Sequence, residues 1–272
     1  MTLANVRIIL VEPAGALNVG SVARVMKNMG LHQLWLVNPH CNPKASPARQ
    51  MAVHGVDVLE SAQQVATLPE ALQGCQRAIA TTARTRHLPT TLEPPRLALP
   101  WLLEDDITSA LIFGPEDRGL SNDELNYAQR FVCIPANPEY PSLNLAQAVA
   151  ICCYELAQLA SPSSQMSQGK TYHGKTHHGA SLHTPQTHHG TSLHTTASLD
   201  EIEAYFQHLE AVLLEIGYLH PHTSTSRMEK FRRLYYRAML TPEDVAMLRG
   251  ILRQTEWAVQ FMPRSQQDES ES

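Results

Sequence analysis

The chain has 272 residues, a length that corresponds to about two domains and buries a sizeable core without disulfides or metal. Apolar residues make up 43% and charged residues 17%, the usual balance for a globular protein in water. No apolar run approaches the ~18 residues of a membrane helix, and the N-terminus lacks the pattern of a signal peptide. We therefore expect a protein without membrane segments.

The cysteine pattern and the net charge further limit the classes of protein to which this chain can belong. Five cysteines show no Cys-x-x-Cys spacing, which argues against a zinc ribbon and favours a reducing compartment. We therefore expect a cytoplasmic protein that needs no metal. The net charge of −5 argues against a chain coated in positive charge, but it is compatible with a local basic patch.

Residues 1–160 alternate short apolar runs with amphipathic segments, which predicts a parallel α/β sheet covered on both faces. The apolar runs are β-branched or continuously apolar, and turn residues bound most of them. The predicted strands are Val6–Val11, Gln33–Val37, Ala78–Thr82, Ala110–Phe113 and Phe131–Ile134. The predicted helices are Asn18–Met29, a short one opened by the capping box Ser121-x-x-Glu124, and Leu145–Ala160.

Residues 161–198 differ in composition, being rich in Ser, Thr, Gly, His and Gln. A motif that starts at Thr176 recurs at Thr187, so the segment repeats with a period of eleven residues. We predict a disordered linker, because such a segment buries too little apolar surface to offset its ordering entropy. Its seven histidines leave a metal-binding tract as an alternative, although no cysteine or carboxylate is interleaved with them.

Residues 199–262 are predicted to be helical, and residues 263–272 form a polar tail. The three predicted helices span about 199–216, 227–239 and 242–260. Two capping boxes, Ser198-x-x-Glu201 and Ser226-x-x-Glu229, open the first two helices, and Thr241 followed by Pro242 opens the third. The sequence therefore predicts a small all-helical domain after the linker.

Several common enzyme classes lack their motifs here. No Gly-x-Gly-x-x-Gly follows the first strand, and Ser21-Val22 stands where a P-loop requires Lys and Ser or Thr. No Gly-x-Ser-x-Gly elbow is present either. These absences argue against an ordinary dinucleotide fold, a P-loop NTPase and a serine hydrolase.

Four polar clusters lie instead where predicted strands give way to loops or helices, the edge at which doubly wound sheets bind ligands. In the first, Asn18, Ser21 and Arg24 recur at every third position of a helix whose first amides attract anions. Arg24 adds a forked donor suited to phosphate. An exposed helical face is the alternative interpretation.

The other three clusters each have a structural alternative as well. The cluster at 81–86 places Arg84 and Arg86 beside hydroxyl residues, as a phosphate site or a solvated loop does. At 113–120, a glycine directly after a strand permits close backbone approach to a ligand. Glu116 in the same cluster is suited to orient loops or a ligand amine, and a tight turn is the alternative interpretation. At 134–146, three prolines stiffen a loop into an Ala-rich helix, which is also what a rigid connector does.

Taken in order over residues 5–157, these clusters resemble the SpoU branch of the SPOUT RNA methyltransferases. The resemblance rests on three motifs: Asn18-x-Gly20-Ser21-x-x-Arg24, Phe113-Gly-x-Glu116-x-x-Gly119-Leu120 and Ile134-Pro…Ser142-Leu-Asn144-Leu145. Longer strings are similar to the bacterial tRNA (cytidine/uridine) 2′-O-methyltransferases that act at position 32 of the anticodon loop: Leu34–Pro39, 82–86, Asn137–Tyr140 and Leu248–Leu252. The long repetitive linker departs from that pattern.

The resemblance implies a deep trefoil knot near the end of the α/β domain and S-adenosylmethionine bound within it. It also implies a homodimer in which Arg24 of one protomer serves the cofactor site of the other. The implied catalytic residues are Asn18, Arg24, Ser142 and Asn144. The implied cofactor contacts are Thr81, Thr82, Ala83, Gly114, Glu116, Gly119, Ile134, Ser142, Leu143 and Asn144.

In an RNA methyltransferase, the second predicted helix of residues 199–262, which is basic, is a candidate RNA-binding element. Residues 227–237 contain five basic residues and one acidic residue, a composition that is unusual in an acidic chain. This excess of positive charge favours contact with phosphate over a merely solvated face. The predicted RNA-binding residues are Arg84, Arg86, Arg227, Lys230, Arg233 and Arg237. Methylation of tRNA is the leading hypothesis; its alternatives are methylation of ribosomal RNA, a non-catalytic dimeric RNA-binding module and a His-rich metal-buffering protein.

Overall fold

A computed structural model describes residues 2–83, 91–104, 107–160 and 196–261. Its centre is a sheet of six parallel strands in the order β3-β2-β1-β5-β4-β6. The strands are β1 Val6–Val11, β2 Gln33–Val37, β3 Gln63–Val65, β4 Arg77–Thr81, β5 Ser109–Phe113 and β6 Arg130–Val132. The predicted parallel α/β class is thereby confirmed, and the predicted strands agree with the observed ones to within one or two residues.

Helices cover both faces of this sheet, so its central strands are buried on either side. Along β1, Ile8 and Leu10 join one hydrophobic cluster while Ile9 and Val11 join the other, as a period of two residues requires. The helices of residues 1–160 are α1 Ala16–Asn28, α2 Ser46–Ala52, α3 Val56–Ser61, α4 Leu68–Leu72, α5 Pro95–Ala98, α6 Asn122–Leu125 and α7 Leu145–Ala160.

Helix α1 packs closely against its neighbours because small residues line its buried face. A Cβ placed on Gly20 would lie 2.1 Å from the carbonyl oxygen of Ala48 in α2. The predicted apolar residues Val22 and Met26 are fully buried, whereas Arg24 is exposed. The contact with α2 therefore fixes which face of α1 is presented to solvent.

Residues 196–261 contain three further helices with a core of their own: α8 Leu199–Glu215, α9 Ser224–Ala238 and α10 Pro242–Gln260. The predicted capping box at Ser198 and the predicted N-cap at Thr241 are confirmed. The capping box predicted at Ser226 is wrong. Helix α9 begins at Ser224, three residues before the predicted start, and the Glu229 carboxylate instead pairs with Arg233 one turn later at 3.1 Å.

The three C-terminal helices dock on the sheet domain at its α4 and α6 side. The Leu199 amide donates to the Cys75 carbonyl at 2.7 Å, and the Gly74 amide donates to the Asp200 carboxylate at 2.8 Å. Arg232 pairs with Glu203 within the helical domain, and its guanidinium lies 5.7 Å from the Tyr127 ring of the sheet domain. These contacts place α9 beside the edge strand β6.

Several predictions concern residues outside the described ranges. These are Arg84, Arg86, nearly all of the predicted linker 161–198, and the tail 263–272. The knot stays a prediction. Among the helices of the described ranges, none is long and apolar enough to cross a membrane.

Candidate functional site

A cavity of about 570 Å³ opens at the carboxyl ends of β4, β5 and β6. The three strands are parallel, so the loops that leave them meet at the same edge of the sheet. Nine of the ten residues predicted to contact a cofactor line this cavity: Thr81, Thr82, Ala83, Gly114, Glu116, Gly119, Ile134, Ser142 and Leu143. The structure therefore brings together residues from three of the four polar clusters, those at 81–86, 113–120 and 134–146.

Hydrogen bonds between strands hold the first of these loops in place. The Thr81 hydroxyl donates to the carbonyl oxygen of Ile112 in β5 at 3.0 Å. The Thr82 amide donates to the carbonyl oxygen of Val132 in β6 at 2.9 Å. Thr81 at the end of β4 and Thr82 directly after it are thus fixed against the two neighbouring strands, and both line the cavity.

The loop after β5 requires two glycines. A Cβ on Gly114 would lie 2.4 Å from the carbonyl carbon of Gly119 and 2.4 Å from the amide nitrogen of Leu120. Gly119 itself has a φ of +69°, in the left-handed region that favours glycine. The loop therefore doubles back on itself and presents its backbone to the cavity.

Glu116 ties this loop to the start of α1. Its carboxylate accepts hydrogen bonds from the Asn18 side chain at 2.7 Å and from the amides of Ala14 at 3.1 Å and Gly15 at 3.3 Å. Burial alone raises the pKa of Glu116, but these hydrogen bonds outweigh it, and the pKa lies below its ordinary value. Glu116 is therefore a carboxylate that orients two loops.

Asn18 and Asn144 extend this network to α7. The Asn144 side-chain amide donates to the Asn18 side-chain oxygen at 3.1 Å, and its own oxygen accepts from the Ala146 amide at 2.9 Å. Asn144 therefore caps α7 and touches α1 at the same time. The predicted catalytic residues Asn18 and Asn144 meet beside the cavity, and Ser142 lies at its exposed margin.

Arg24 is the one predicted catalytic residue that lies away from the cavity of its own chain. It follows Asn18 by six residues, which corresponds to about 9 Å along a helix axis. Its side chain is exposed, does not line the cavity, and makes no hydrogen bond or ion pair with any other described residue. A guanidinium in this position is available to a second molecule.

Arg118 is a site residue that the sequence interpretation missed. Its guanidinium pairs with Glu124 of α6 at 2.9 Å and with Glu12 at 2.7 Å. Glu12 directly follows β1, has a φ of +47° and also accepts a hydrogen bond from Asn38 at 3.3 Å. The pKa of Glu12 is lowered, chiefly by the hydrogen bond from Arg118. No local motif could reveal this contact, because its partners are separated by more than a hundred positions in the chain.

The predicted RNA-binding residues of α9 do not all share one environment. Lys230, Arg233 and Arg237 line a second cavity, between α9 and β6. Arg227 lies apart from it, with its guanidinium hydrogen-bonded to the Tyr218 carbonyl at 3.1 Å and 5.7 Å from the Tyr218 ring. The opposite face of α9 packs inward as predicted, with Met228 buried.

Comparison with known proteins identifies the family. The model of the SpoU rRNA Methylase family matches residues 5–154, and that of the tRNA methyltransferase TrmJ C-terminal domain matches residues 200–270. The tRNA (cytidine/uridine-2'-O-)-methyltransferase TrmJ of Klebsiella pneumoniae is 39% identical over 93% of this chain and 97% of its own. The chain belongs to the TrmJ branch of the SpoU methylase family.

Further TrmJ proteins extend the comparison to structure. The TrmJ of Cronobacter sakazakii is 41% identical, again over 93% of this chain and 97% of its own. The crystal structure of TrmJ from Z. mobilis superposes with a TM-score of 0.75 at 30% identity, covering 92% of this chain and 98% of that one. The resemblance predicted from the three motifs is therefore confirmed, and the chain is a methyltransferase. Within the described ranges, no group of His, Cys, Asp and Glu side chains is arranged to hold a metal ion.

Proposed function

We propose that this protein transfers a methyl group from S-adenosylmethionine to the ribose 2′-hydroxyl of cytidine or uridine at position 32 of tRNA, in the cytoplasm. The observation that carries the proposal is the convergence of three polar clusters on one cavity, which the Glu116 carboxylate joins to Asn18 of the remaining cluster. The substrate is supported by the names of the TrmJ relatives, whose similarity spans both the sheet domain and the C-terminal helices.

The cavity has the size and walls that S-adenosylmethionine requires. Its volume of about 570 Å³ falls within the ~300–1,000 Å³ of small-molecule sites. Apolar Leu125, Val132 and Ile134 provide a surface for a purine ring, while Thr82 and Ser121 supply hydrogen-bonding groups. Gly114 and Gly119 line the cavity with backbone atoms alone, which supports contact between a ligand and the backbone of this loop. We assign all ten predicted contact residues to this role.

The chemistry requires positioning more than acid or base strength. S-adenosylmethionine supplies a methyl group that is already electrophilic, whereas a ribose 2′-hydroxyl is a weak nucleophile. In-line alignment of the reacting groups contributes up to ~7–11 kcal/mol in favourable cases. We assign that alignment to Ser142 and Asn144, which both precede α7; the hydrogen bond from Asn144 to Asn18 supports the assignment.

Arg24 is assigned to the hydroxyl rather than to the cofactor. A guanidinium stays protonated in proteins, so it serves poorly as a base and well as a forked donor to phosphate. Fixed on the adjacent phosphate, it lowers the pKa of the 2′-hydroxyl and stabilises the developing oxyanion. This role needs a second subunit, because Arg24 does not line the cavity of its own chain.

The exposed face formed by α1 and α7 supports a homodimer. It carries large apolar side chains, with Leu17 54% exposed on α1 and Ile151 and Tyr154 38% and 48% exposed on α7. Clusters of exposed apolar side chains mark association surfaces. In the proposed dimer each cavity receives Arg24 from the partner subunit.

Mixing two inactive variants tests the composite site. One variant is Arg24→Ala and the other is Gly114→Ala, assayed at an S-adenosylmethionine concentration that saturates the wild type but not the altered cavity. A heterodimer contains one intact pair of cavity and arginine, so random mixing should restore about a quarter of the wild-type rate. Mixtures that stay inactive, although native mass spectrometry shows heterodimers, would refute the composite site.

The modified nucleotide is identified by mass spectrometry of nucleosides from tRNA of a strain lacking the gene. Loss of the 2′-O-methyl group at position 32, restored by the cloned gene, is the expected result. Unchanged tRNA together with a missing 2′-O-methyl group in ribosomal RNA would replace the substrate but retain the enzyme class.

A further inference from the structure

A second cavity, of about 630 Å³, lies between α9 and the edge strand β6. Five cations line it, and no described carboxylate does, although the chain as a whole carries a net charge of −5. These cations are Arg130, Lys230, Arg232, Arg233 and Arg237. Leu125 of α6 lines this cavity and the first one, so the two are neighbours across that short helix.

Three of the five cations are held in place by carboxylates outside the cavity lining. Arg130 pairs with Glu93, Arg232 with Glu203, and Arg233 with Glu229. The Arg130 guanidinium also lies 5.4 Å from the ring of Trp101, which lines the cavity. Their positions are therefore fixed before any ligand arrives, which lowers the entropy lost on binding.

The other two cations are uncommitted. Lys230 and Arg237 are exposed and have no carboxylate partner among the described residues. The Arg237 Nε donates to the Arg233 carbonyl at 3.2 Å, which leaves its terminal amino groups available. Like charges gathered around one space repel each other, and an anion placed among them relieves that repulsion.

The cavity is built by both parts of the chain. Arg130, Gln129 and Trp101 belong to the sheet domain, whereas Lys230 and Arg237 belong to α9. Gln129 is itself rigid, since its side chain accepts from the Ala78 amide at 2.6 Å and donates to the Gln76 carbonyl at 2.9 Å. A ligand that fills this space contacts both domains simultaneously.

We propose that this interdomain cavity binds the phosphate backbone of the RNA substrate, with Arg130 on one wall and Lys230 and Arg237 on the other. This inference rests on the proposed function and locates its RNA contact between the domains rather than along the whole basic face of α9. Arg227, which lies at Tyr218, takes no part. RNA binding thereby holds the helical domain against the methyltransferase domain.

The first test compares charge removal inside and outside the cavity. Lys230→Gln/Arg237→Gln should weaken tRNA binding at least tenfold and flatten the slope of log K against log salt by about 1.4–1.8, since two phosphate contacts are lost. The matched control, Arg249→Gln/Arg253→Gln, removes the same charge from exposed positions of α10 and should follow the wild type. Equal effects of both variants would overturn the proposal.

The second test separates an interdomain site from a helical face. Arg130→Gln should weaken tRNA binding without changing S-adenosylmethionine affinity, whereas Arg227→Gln on α9 should have no effect. The opposite ranking would assign the contact to the exposed face of α9 and would overturn the cavity. Circular dichroism melting curves of all variants establish that they fold.

A third measurement needs no substitution. Acetylation of the wild-type protein, read by mass spectrometry, should show Lys230 protected by tRNA while Lys44, exposed on the far side of the sheet domain near Glu60, stays reactive. Unprotected Lys230 in a saturated complex would overturn the proposal. Protection by millimolar AMP equal to that by tRNA would assign the cavity to free nucleotides instead. Wild-type protein that neither binds nor methylates tRNA would refute the proposed function itself.

Discussion

At the scale of single residues, replacing Arg24 is expected to affect the rate of methyl transfer much more than the affinity for S-adenosylmethionine. Arg24→Ala should lower the rate of methyl transfer by roughly 100-fold or more, the usual effect of removing a donor to a developing oxyanion. S-adenosylmethionine affinity should change only a few-fold, because Arg24 does not line the cavity. Single-turnover kinetics at saturating tRNA and calorimetric titration measure the two quantities.

A neighbouring cation provides the control for Arg24. Lys27 lies one turn further along α1 and pairs with the exposed Asp57 carboxylate. Lys27→Ala removes the same charge from the same helix and should keep near wild-type turnover. If both variants lose activity equally, the loss reflects the charge of α1 and not a specific role of Arg24.

Glu116 is expected to couple stability to pH. Its pKa is lowered in the folded protein by hydrogen bonds from Asn18 and two amides, so its stabilisation is present above the unfolded pKa of about 4.3. That stabilisation is lost as pH falls through the folded value. Glu116→Gln should therefore lower Tm at pH 7, and the gap to wild type should stay constant down to about pH 4.3 and shrink below it.

Thermal melts between pH 7 and pH 3 check this expectation, because the stabilisation is lost below the unfolded pKa of about 4.3. Glu139→Gln, which neutralises an exposed carboxylate in the loop before α7, serves as the matched control and should track the wild type throughout. A gap between wild type and Glu116→Gln that is constant with pH would show that lost geometry, rather than lost charge, causes the destabilisation.

At the scale of elements, the loop between β5 and α6 depends on backbone contact. Gly114→Ala should destabilise the fold by about 1–3 kcal/mol and weaken S-adenosylmethionine binding, because its methyl group meets backbone that cannot rotate away. Gly250→Ala is the matched control. Its Cβ would meet nothing within 4 Å in the middle of α10, so alanine should stabilise the helix by about 0.5–1 kcal/mol. Urea unfolding measures both, and a neutral Gly114→Ala would contradict the close approach.

Elements also differ in how clearly the sequence marked them. Strands β1 and β2 and helix α7 were predicted with their observed bounds, because long apolar runs are bounded by turn residues or a proline-rich loop. The three-residue strand β3 and the short helices α2 to α5 were not predicted, since three to seven residues show no periodicity. Tertiary packing stabilises them instead: β3 and α4 lie against β2, α2 and α3 against α1, and α5 against α7 and β6.

At the scale of the whole molecule, the methyltransferase domain and the helical domain are in direct contact, and this contact does not involve residues 165–195. The Leu199 amide bonds to Cys75, and Leu199 is buried in the hydrophobic cluster of the sheet. We therefore expect the composition of residues 165–195 to matter little. Replacing them with a Gly/Ser segment of equal length should leave Tm within about 2 °C and kcat within about twofold, since single surface changes rarely exceed ±0.5 kcal/mol.

Melting curves and turnover at saturating tRNA measure the effect of that replacement. A large fall in either would show that the His-rich repeat contributes specific contacts. Zinc binding by the wild type and by the replacement variant tests the alternative of a metal-binding tract. That alternative requires the wild type, but not the variant, to bind zinc stoichiometrically.

The sequence by itself determined the fold class, the family and most residues of the candidate site. Apolar runs, capping boxes and the three spaced motifs are short-range features, so they can be read directly from the sequence. The order of the strands in the sheet depends on long-range contacts and could not be read in this way. The motif residues Asn18, Glu116 and Asn144 were predicted individually. Their hydrogen-bonded chain was not, because it joins residues about a hundred positions apart.

Tertiary structure alone decided three matters. It clamped Arg118 between Glu12 and Glu124, it separated Arg227 from the other cations of α9, and it formed the second cavity between two domains. Each depends on which surfaces come together when hydrophobic faces are buried, and long-range contacts of that kind leave no periodic trace in the sequence. Arg24 stays outside the lining of its own chain's cavity for the same reason, since burial of Val22 and Met26 fixes the rotation of α1.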